Sequence, residues 1–269
     1  MGEIYIIGIG LSPHQITLEA LDVISKCDLV YVDTYTSLYV NGDFNKLKKI
    51  IGKELRFLKR EDIEVHNAKI IIENAKKGLK IALLVIGDPH IATTHTAIIE
   101  EAKKANIHVE MIPGISILCA AMTYTGLIPY RFGKATTLVF PKEGIIYTST
   151  YEVIKENRDR NLHTFLFLDL DVERQIYMTA SEAAKLLLKL EELCKAKVLS
   201  KGTKVIAIAR AGSKDSCIVF ETLEKLQKLD LGPPPHSIII PAPKLHPIEE
   251  EVLEYIIESR YKDCAKPKN

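Results

Sequence analysis

A chain of 269 residues, 47% hydrophobic and 26% charged, carries enough apolar material for two compact domains or one large one. Its 36 basic residues nearly cancel 35 acidic ones, leaving a formal net charge of +1, so charge gives no reason to expect nucleic acid or an anionic membrane as partner. The 5 cysteines (Cys27, Cys119, Cys194, Cys217 and Cys264) are odd in number and form no Cys-x-x-Cys pair. That argues against a disulfide framework or a zinc knuckle and fits a reducing cytoplasm. No apolar run approaches the roughly 18 residues that span a bilayer, and no secretory signal is readable, so a cytoplasmic protein is expected.

In chain order, residues 3–9 form a first strand running into Gly8-Ile9-Gly10-Leu11-Ser12-Pro13. Residues 17–26 follow as an amphipathic helix with Leu18, Leu21, Ile24 and Ser25 on one face. A second strand, 28–32, leads to Asp33-Thr34-Tyr35-Thr36-Ser37-Leu38, and 46–51 and 64–77 read as helices, the latter stopped by Gly78. The basic segment 46–60, interleaved with Ile50, Ile51, Leu55 and Phe57, reads as the solvated side of ordinary helix and strand. The unbroken apolar run 81–86 predicts a strand buried on both faces, as parallel strands are. Gly87-Asp88-Pro89 stops that strand, and Thr93 or Thr94 is placed to cap the next helix, with Ala97, Ile98 and Ala102 at helical spacing. Ligands of open α/β sheets bind at such an edge. A strand at 107–112 completes an alternation that predicts an α/β domain with a largely parallel sheet.

Pro113-Gly114-Ile115-Ser116 opens a small-residue helix, 117–124, closed by Gly126, and the rhythm then changes. The domain junction is placed here, giving an N-terminal α/β domain of residues 1–112 and a C-terminal mixed α/β domain of residues 113–269. Shorter strands are predicted at 137–140, 164–168, 205–209, 217–221 and 237–240, with a long amphipathic helix at 179–194 that turns Ala183, Leu186, Leu187 and Leu190 inward. Strands not each followed by a helix predict a mixed sheet with hairpins. Leu231-Gly232-Pro233-Pro234-Pro235-His236 is a stiff connector, 248–261 a final helix, and the Lys-rich end is expected to fray.

Gly8-x-Gly10 lacks the third glycine of a dinucleotide turn, and Gly133-Lys134 lacks the earlier glycine of a P-loop. His90 and His95 are spaced so that a helix would not bring them to one face, while His163, His236 and His246 stand alone, which favours histidines with backbone partners over a metal site. Cys119 reads as packing within an apolar helix, and Asp169 and Asp171 as exposed strand-end carboxylates. No nucleophile elbow and no His–carboxylate pair is readable. Strand ends broken by glycine, without metal or nucleophile, suit a cofactor that brings its own reactivity, such as S-adenosylmethionine. The enzyme then need only align a nucleophile about 3–3.5 Å from the methyl, while a carboxylate such as Asp88 meets the ribose or ammonium.

Gly8-x-Gly10, Gly87-Asp88-Pro89 and Pro113-Gly114-Ile115-Ser116 together resemble the tetrapyrrole methylase superfamily. Tyr35-Thr36-Ser37-Leu38, Ala92-Thr93-Thr94-His95, Phe132-Gly133-Lys134, Leu162-His163-Thr164, Tyr177-Met178-Thr179-Ala180, Ala209-Arg210-Ala211-Gly212-Ser213 and Pro235-His236 narrow the likeness to the diphthine synthase family over nearly the whole chain. The resemblance implies two α/β domains with S-adenosylmethionine in a cleft between them. It also implies a homodimer that methylates, three times in archaea, the amino group of a modified histidine on translation elongation factor 2. Carried over residue by residue, it puts cofactor contacts on Leu11, Asp88, Ile91, Ser116, Ile117, Leu168, Ala211 and His236, mostly through backbone atoms, and names no catalytic acid or base. Two stretches depart from the family. Ser12-Pro13-His14-Gln15 replaces a more acidic segment, and Pro113-Gly114-Ile115-Ser116 is closer to the corrin and porphyrin methylases, which keeps a tetrapyrrole substrate as the alternative. A catalytically silent cofactor-binding scaffold linked to translation is a third reading.

Overall fold

The computed structural model describes residues 2–40 and 44–268. Two compact units divide the chain: 1–117 with 172–174, and 118–171 with 175–269.

The first unit is built on one sheet. β1 (Glu3–Gly8), β2 (Leu29–Asp33), β3 (Leu55–Leu58), β4 (Lys80–Val85) and β5 (His108–Ile112) lie in the order β3-β2-β4-β1-β5, and every pairing is parallel. β4 is buried along 81–85, as its unbroken apolar run requires of a central parallel strand. α1 (Leu18–Ser25) and α2 (Phe44–Ile51) cover one face, where Ala20, Ile24 and Leu47 pack with Ile7, Val32, Ala82 and Leu84. α3 (Lys69–Lys76) and α4 (Thr96–Lys104) cover the other, with Ile71, Ala75, Ile98 and Ala102 against Ile4, Ile6, Ile81 and Leu83.

Three local expectations are corrected here. Leu18 does not join the inward face of α1 but stands 85% exposed, because the helix turns Ala20 and Ile24 to the sheet instead. The helix expected over 64–77 begins only at Lys69; a π-turn at Glu61–Val65 precedes it, and Asn67 and Ala68 take positive φ in between. Neither Thr93 nor Thr94 caps α4. The N-cap position is His95, while Thr93 Oγ1 donates to the Pro89 carbonyl at 2.7 Å and Thr94 Oγ1 to Glu64 Oε1 at 3.2 Å.

α5 (Ile117–Thr125) leads into the second unit, whose sheet has the order β11-β10-β13-β7-β6: β6 (Thr136–Leu138), β7 (Thr164–Leu168), β10 (Lys204–Ala209), β11 (Cys217–Thr222) and β13 (His236–Ile240). Only β6–β7 is parallel, so the predicted mixed sheet is present. α6 (Ser149–Asp159), α7 (Ala180–Cys194) and α8 (Leu223–Leu226) accompany it, as does α9 (Pro247–Ile256), which continues as a π-turn to Tyr261. α7 buries Ala183, Leu186, Leu187 and Leu190 as its periodicity predicts, and Thr179 with Glu182 forms a capping box at its start. α6 has no counterpart in the sequence reading. Its buried positions include Thr150 and Asn157, polar residues that dilute an apolar stripe. The small ladders β8 (Leu170–Asp171) with β9 (Ile176–Tyr177), and β12 (Leu229–Asp230) with β14 (Lys266–Pro267), are antiparallel.

The end of the described chain is paired rather than frayed. β14 pairs with β12, Lys268 N donates to the Lys228 carbonyl at 2.7 Å, and Cys264 is joined to Cys217. This disulfide runs against the expectation of a chain without a disulfide framework. A sequence separation of 47 hides the pairing, and the packing of the turn after α9, Ile257–Tyr261, against β11 brings the two Cα atoms to 5.4 Å. Cys119, expected as packing, is exposed. Closing so long a loop restricts the unfolded chain, so Cys264→Ser, or reduction of the parent protein, is expected to lower unfolding stability by about 2–4 kcal/mol. Urea unfolding with and without reductant checks this: the variant should match the reduced parent and not respond to reductant.

Candidate functional site

In the first unit, β1 and β4 are neighbours whose onward helices, α1 and α4, pack on opposite faces of the sheet. The chain therefore leaves their carboxyl ends toward opposite faces, the kind of place where open α/β sheets take ligands. Glycine makes the junction. Gly10 and Gly87 exchange backbone hydrogen bonds of 3.2 and 2.9 Å. A Cβ on Gly114 would stand 2.2 Å from the Gly87 carbonyl oxygen and 2.7 Å from Gly8 Cα, and one on Gly8 would meet Gly114 N at 2.6 Å. The ends of β1, β4 and β5 thus pack backbone on backbone, which any side chain at these positions forbids.

Asp88 sits at this junction, half-buried. Its Oδ1 accepts the His90 N–H at 2.9 Å and its Oδ2 the Gly114 N–H at 3.2 Å. Each oxygen keeps acceptor capacity beyond those bonds. Leu11, 8% exposed, follows the Gly10–Gly87 bridge, and its N–H donates to Gln15 Oε1 at 3.0 Å. Ile91 is half-buried in the loop after Asp88, Ser116 is buried, and Ile117 opens α5. The sequence-named positions Leu11, Asp88, Ile91, Ser116 and Ile117 thus all lie in the loops that follow β1, β4 and β5 or at their immediate ends.

The remaining three gather in the second unit. The register pairs Ala209 with His236 and Phe167 with Ser237. Leu168 at the end of β7, His236 at the start of β13 and Ala211 just past β10 therefore share one edge of that sheet. The His236 side chain is already committed: Nδ1 accepts the Ala180 N–H at 3.0 Å, and Nε2 lies 3.1 Å from the carbonyls of Gly232 and Pro233. Those partners fix the Nε2–H tautomer, and burial pushes its pKa down from 6.5 to about 4. What His236 has left to offer a ligand is backbone. Arg210, which the sequence reading gave no role, is buried at positive φ. Its guanidinium donates to the carbonyls of Leu231 at 2.5 Å, Pro233 at 2.9 Å and Asp215 at 2.8 Å, and it pairs with Asp215 Oδ2 at 3.0 Å. It therefore ties the Pro-rich connector before His236 to the loop that carries Ala211.

Of the histidines expected to stand alone, His163 has a carboxylate partner. His163 Nε2 lies 3.0 Å from Glu249 Oε1, and its Nδ1 accepts the Ala242 N–H at 2.9 Å. Glu249 also accepts from the N–H groups of Ile128 and His246 and from Arg131. Burial would raise its carboxyl, but these donors outweigh burial and hold it below the ordinary value, while burial lowers the His163 imidazole. His95 Nε2 lies 2.9 Å from Asp33 Oδ2, a close contact without hydrogen-bond alignment, and both side chains are fully buried. Residues 62 and 86 positions apart carry no local pattern that announces such pairs. Phe132-Gly133-Lys134 also proves structural: Asn157 bonds the N–H and carbonyl of Lys134, and a Cβ on Gly133 would stand 2.1 Å from Asn157 Oδ1. Asp169, read as an exposed strand-end carboxylate, is half-buried and accepts the Phe140 N–H at 2.9 Å.

A model of the tetrapyrrole (corrin/porphyrin) methylases matches residues 3–227. A diphthine synthase of Staphylothermus marinus is 44% identical over 255 residues, 94% of this chain and 93% of that protein. One from Saccharolobus solfataricus is 38% identical over 260 residues, 96% of this chain and all of that protein. The chain belongs to the diphthine synthase family of tetrapyrrole methylases. A crystal structure of a diphthine synthase agrees in fold, with a TM-score of 0.82 at 34% identity over 94% of this chain and 95% of that one. Family membership makes the protein a methyltransferase, and the expected fold class, two α/β units of the tetrapyrrole methylase type, stands.

Two outcomes test the site. Gly114→Ala must push apart backbone that has no room to move, and a loss of about 2 kcal/mol or more in unfolding stability is expected. Acid should also weaken the fold through His236. The unfolded chain takes up a proton near pH 6.5 and the folded chain only near 4, so the stability due to neutral His236 is complete above 6.5 and lost as pH falls toward 4. A shift of that size amounts to about 3 kcal/mol, and His163 adds in the same direction. Urea midpoints measured from pH 7 to pH 4 should fall steeply for the parent protein and less steeply for His236→Asn.

Proposed function

We propose that the chain transfers methyl groups from S-adenosylmethionine to the amino group of the 3-amino-3-carboxypropyl side chain on a modified histidine of translation elongation factor 2, adding three. We further propose that it does so in the cytoplasm as a homodimer, with no nucleic-acid or membrane partner. The glycine junction beside Asp88 is the observation that carries the cofactor reading. Glycine lets the ends of β1 and β5 and the Gly87 carbonyl pack backbone on backbone, and the side chain hydrogen-bonded into this junction is the Asp88 carboxylate, suited to ribose hydroxyls and an ammonium. The donor set fits the group.

Bound S-adenosylmethionine supplies a methyl made electrophilic by its sulfonium. The chain's own part is to hold and orient. The loops carrying Leu11, Asp88, Ile91, Ser116 and Ile117 offer backbone donors and acceptors, and Leu168, Ala211 and His236 add backbone contacts of the same kind. Asp88, held by two N–H groups, keeps lone pairs for the sugar. The acceptor amine must be neutral to attack. Neither buried His–carboxylate pair is placed to take its proton, because His95, Asp33, His163 and Glu249 are sealed from solvent; water at the open site takes it.

Incubating the protein with S-adenosylmethionine and intermediate-bearing elongation factor 2 should add three methyl masses to that one residue. An unchanged factor alongside methylated uroporphyrinogen would instead assign a tetrapyrrole substrate, and labelled donor left untouched by both would leave a silent binding module.

A further inference from the structure

Two side-chain pairs fasten the loop after β4 to the end of β2. Asp33, the last residue of β2, is wholly buried; it accepts the N–H groups of Tyr35 at 2.9 Å and Thr36 at 3.3 Å and the Thr36 hydroxyl at 2.5 Å. Its Oδ2 lies 2.9 Å from His95 Nε2. The other ring nitrogen of His95 lies 3.4 Å from the Pro89 carbonyl, which also accepts the Thr93 hydroxyl. One residue along on the His95 side and two on the Asp33 side, the Tyr35 hydroxyl meets Thr94 Oγ1 at 3.1 Å. Burial of the Tyr35 phenol lifts its pKa to about 12, so it stays a hydroxyl able to donate. Between these anchors the loop runs through Ala92 at φ +57.

A buried ionisable pair is a weak source of stability, because desolvation offsets its attraction. Its geometric effect is definite. Asp33–His95 and Tyr35–Thr94 leave the segment from Pro89 to His95 little freedom, and Asp88 is the next residue back. We propose that Asp33 and His95, seconded by Tyr35 and Thr94, are positioning residues for methyl donor binding: they act through the Pro89 carbonyl to hold the Asp88 carboxylate in register with the glycine junction. This rests on the reading of Asp88 as a cofactor contact. It also gives a role to Tyr35-Thr36 and Ala92-Thr93-Thr94-His95, which touch no proposed ligand.

The test is a double-mutant cycle read by calorimetric binding of S-adenosylhomocysteine, with initial rates as a second readout. His95→Gln keeps a polar side chain facing Asp33 but loses the ring contact to Pro89, and Tyr35→Phe removes a single hydroxyl. Each is expected to weaken binding, about tenfold for His95→Gln and about threefold for Tyr35→Phe, and to raise the KM for S-adenosylmethionine while kcat at saturation stays within about twofold. In an Asp88→Ala background both losses should disappear, since residues acting through Asp88 have nothing left to position. Losses that persist additively, or none in the parent background, would overturn the proposal; should His95→Gln fail to fold, Tyr35→Phe decides alone. Unchanged binding by Asp88→Ala itself would refute the cofactor reading instead, a separate outcome.

Discussion

Parallel strands stand nearly 5 Å apart and normally keep side chains between their ends and anything that crosses them. At Gly8 and Gly114 that spacing is abandoned, and the Gly87 carbonyl oxygen stands against both. Three strand ends meet with less room than one methyl group would need. The rest of the first unit's edge follows from this contact. Gly10 bonds to Gly87 because β1 and β4 close on each other, and Gly114 N reaches Asp88 because the chain leaving β5 crosses the end of β1. The helices after β1 and β4 leave to opposite faces, so the junction stands where the chain direction switches.

The second unit fixes its strand ends by polar side chains. Arg210 collects carbonyls of the Pro-rich connector and of Asp215, His236 holds the first turn of α7, Asn157 holds Lys134, and Glu249 gathers two backbone N–H groups, an arginine and a histidine. Each is a buried polar group whose bonding is largely satisfied by main chain, the arrangement in which burial is tolerated. Removing one partner strands the other, at a cost of about 3–5 kcal/mol where the stranded group is charged. Such residues read in the sequence as parts of motifs. Their roles are to bend and pin loops.

What the sequence made legible follows the range of the forces concerned. The apolar run before Gly87 announced a central parallel strand, and the spacing of Ala183, Leu186, Leu187 and Leu190 announced α7, because both depend on neighbours in sequence. The glycine-broken ends of β1 and β4 were legible for the same reason. α6 escaped because its buried face includes Thr150 and Asn157, which a pattern of apolar spacing discards. Leu18 was misplaced because the sheet, not the helix, decides which face turns inward. Asp33 with His95, His163 with Glu249, and Cys217 with Cys264 could not be seen at all, since each joins separate elements and leaves no spacing behind.

Those unseen pairs bear on the kind of catalyst this is. A general base must reach the proton it removes, and a buried His–carboxylate pair without solvent exposure has no such reach. Methyl transfer asks less of acid–base chemistry than of geometry: a near-attack placement of nucleophile and methyl carries much of the rate, and small displacements are costly. A protein devoted to that task is expected to use its buried ionisable groups as struts for backbone rather than as proton carriers. Asp33, Glu249, Arg210 and His236 are all used in that way here, each directed chiefly at main-chain atoms of loops that end a strand or start a helix. On the proposed reading the donor supplies the reactive methyl, and these side chains serve to hold the backbone of those loops.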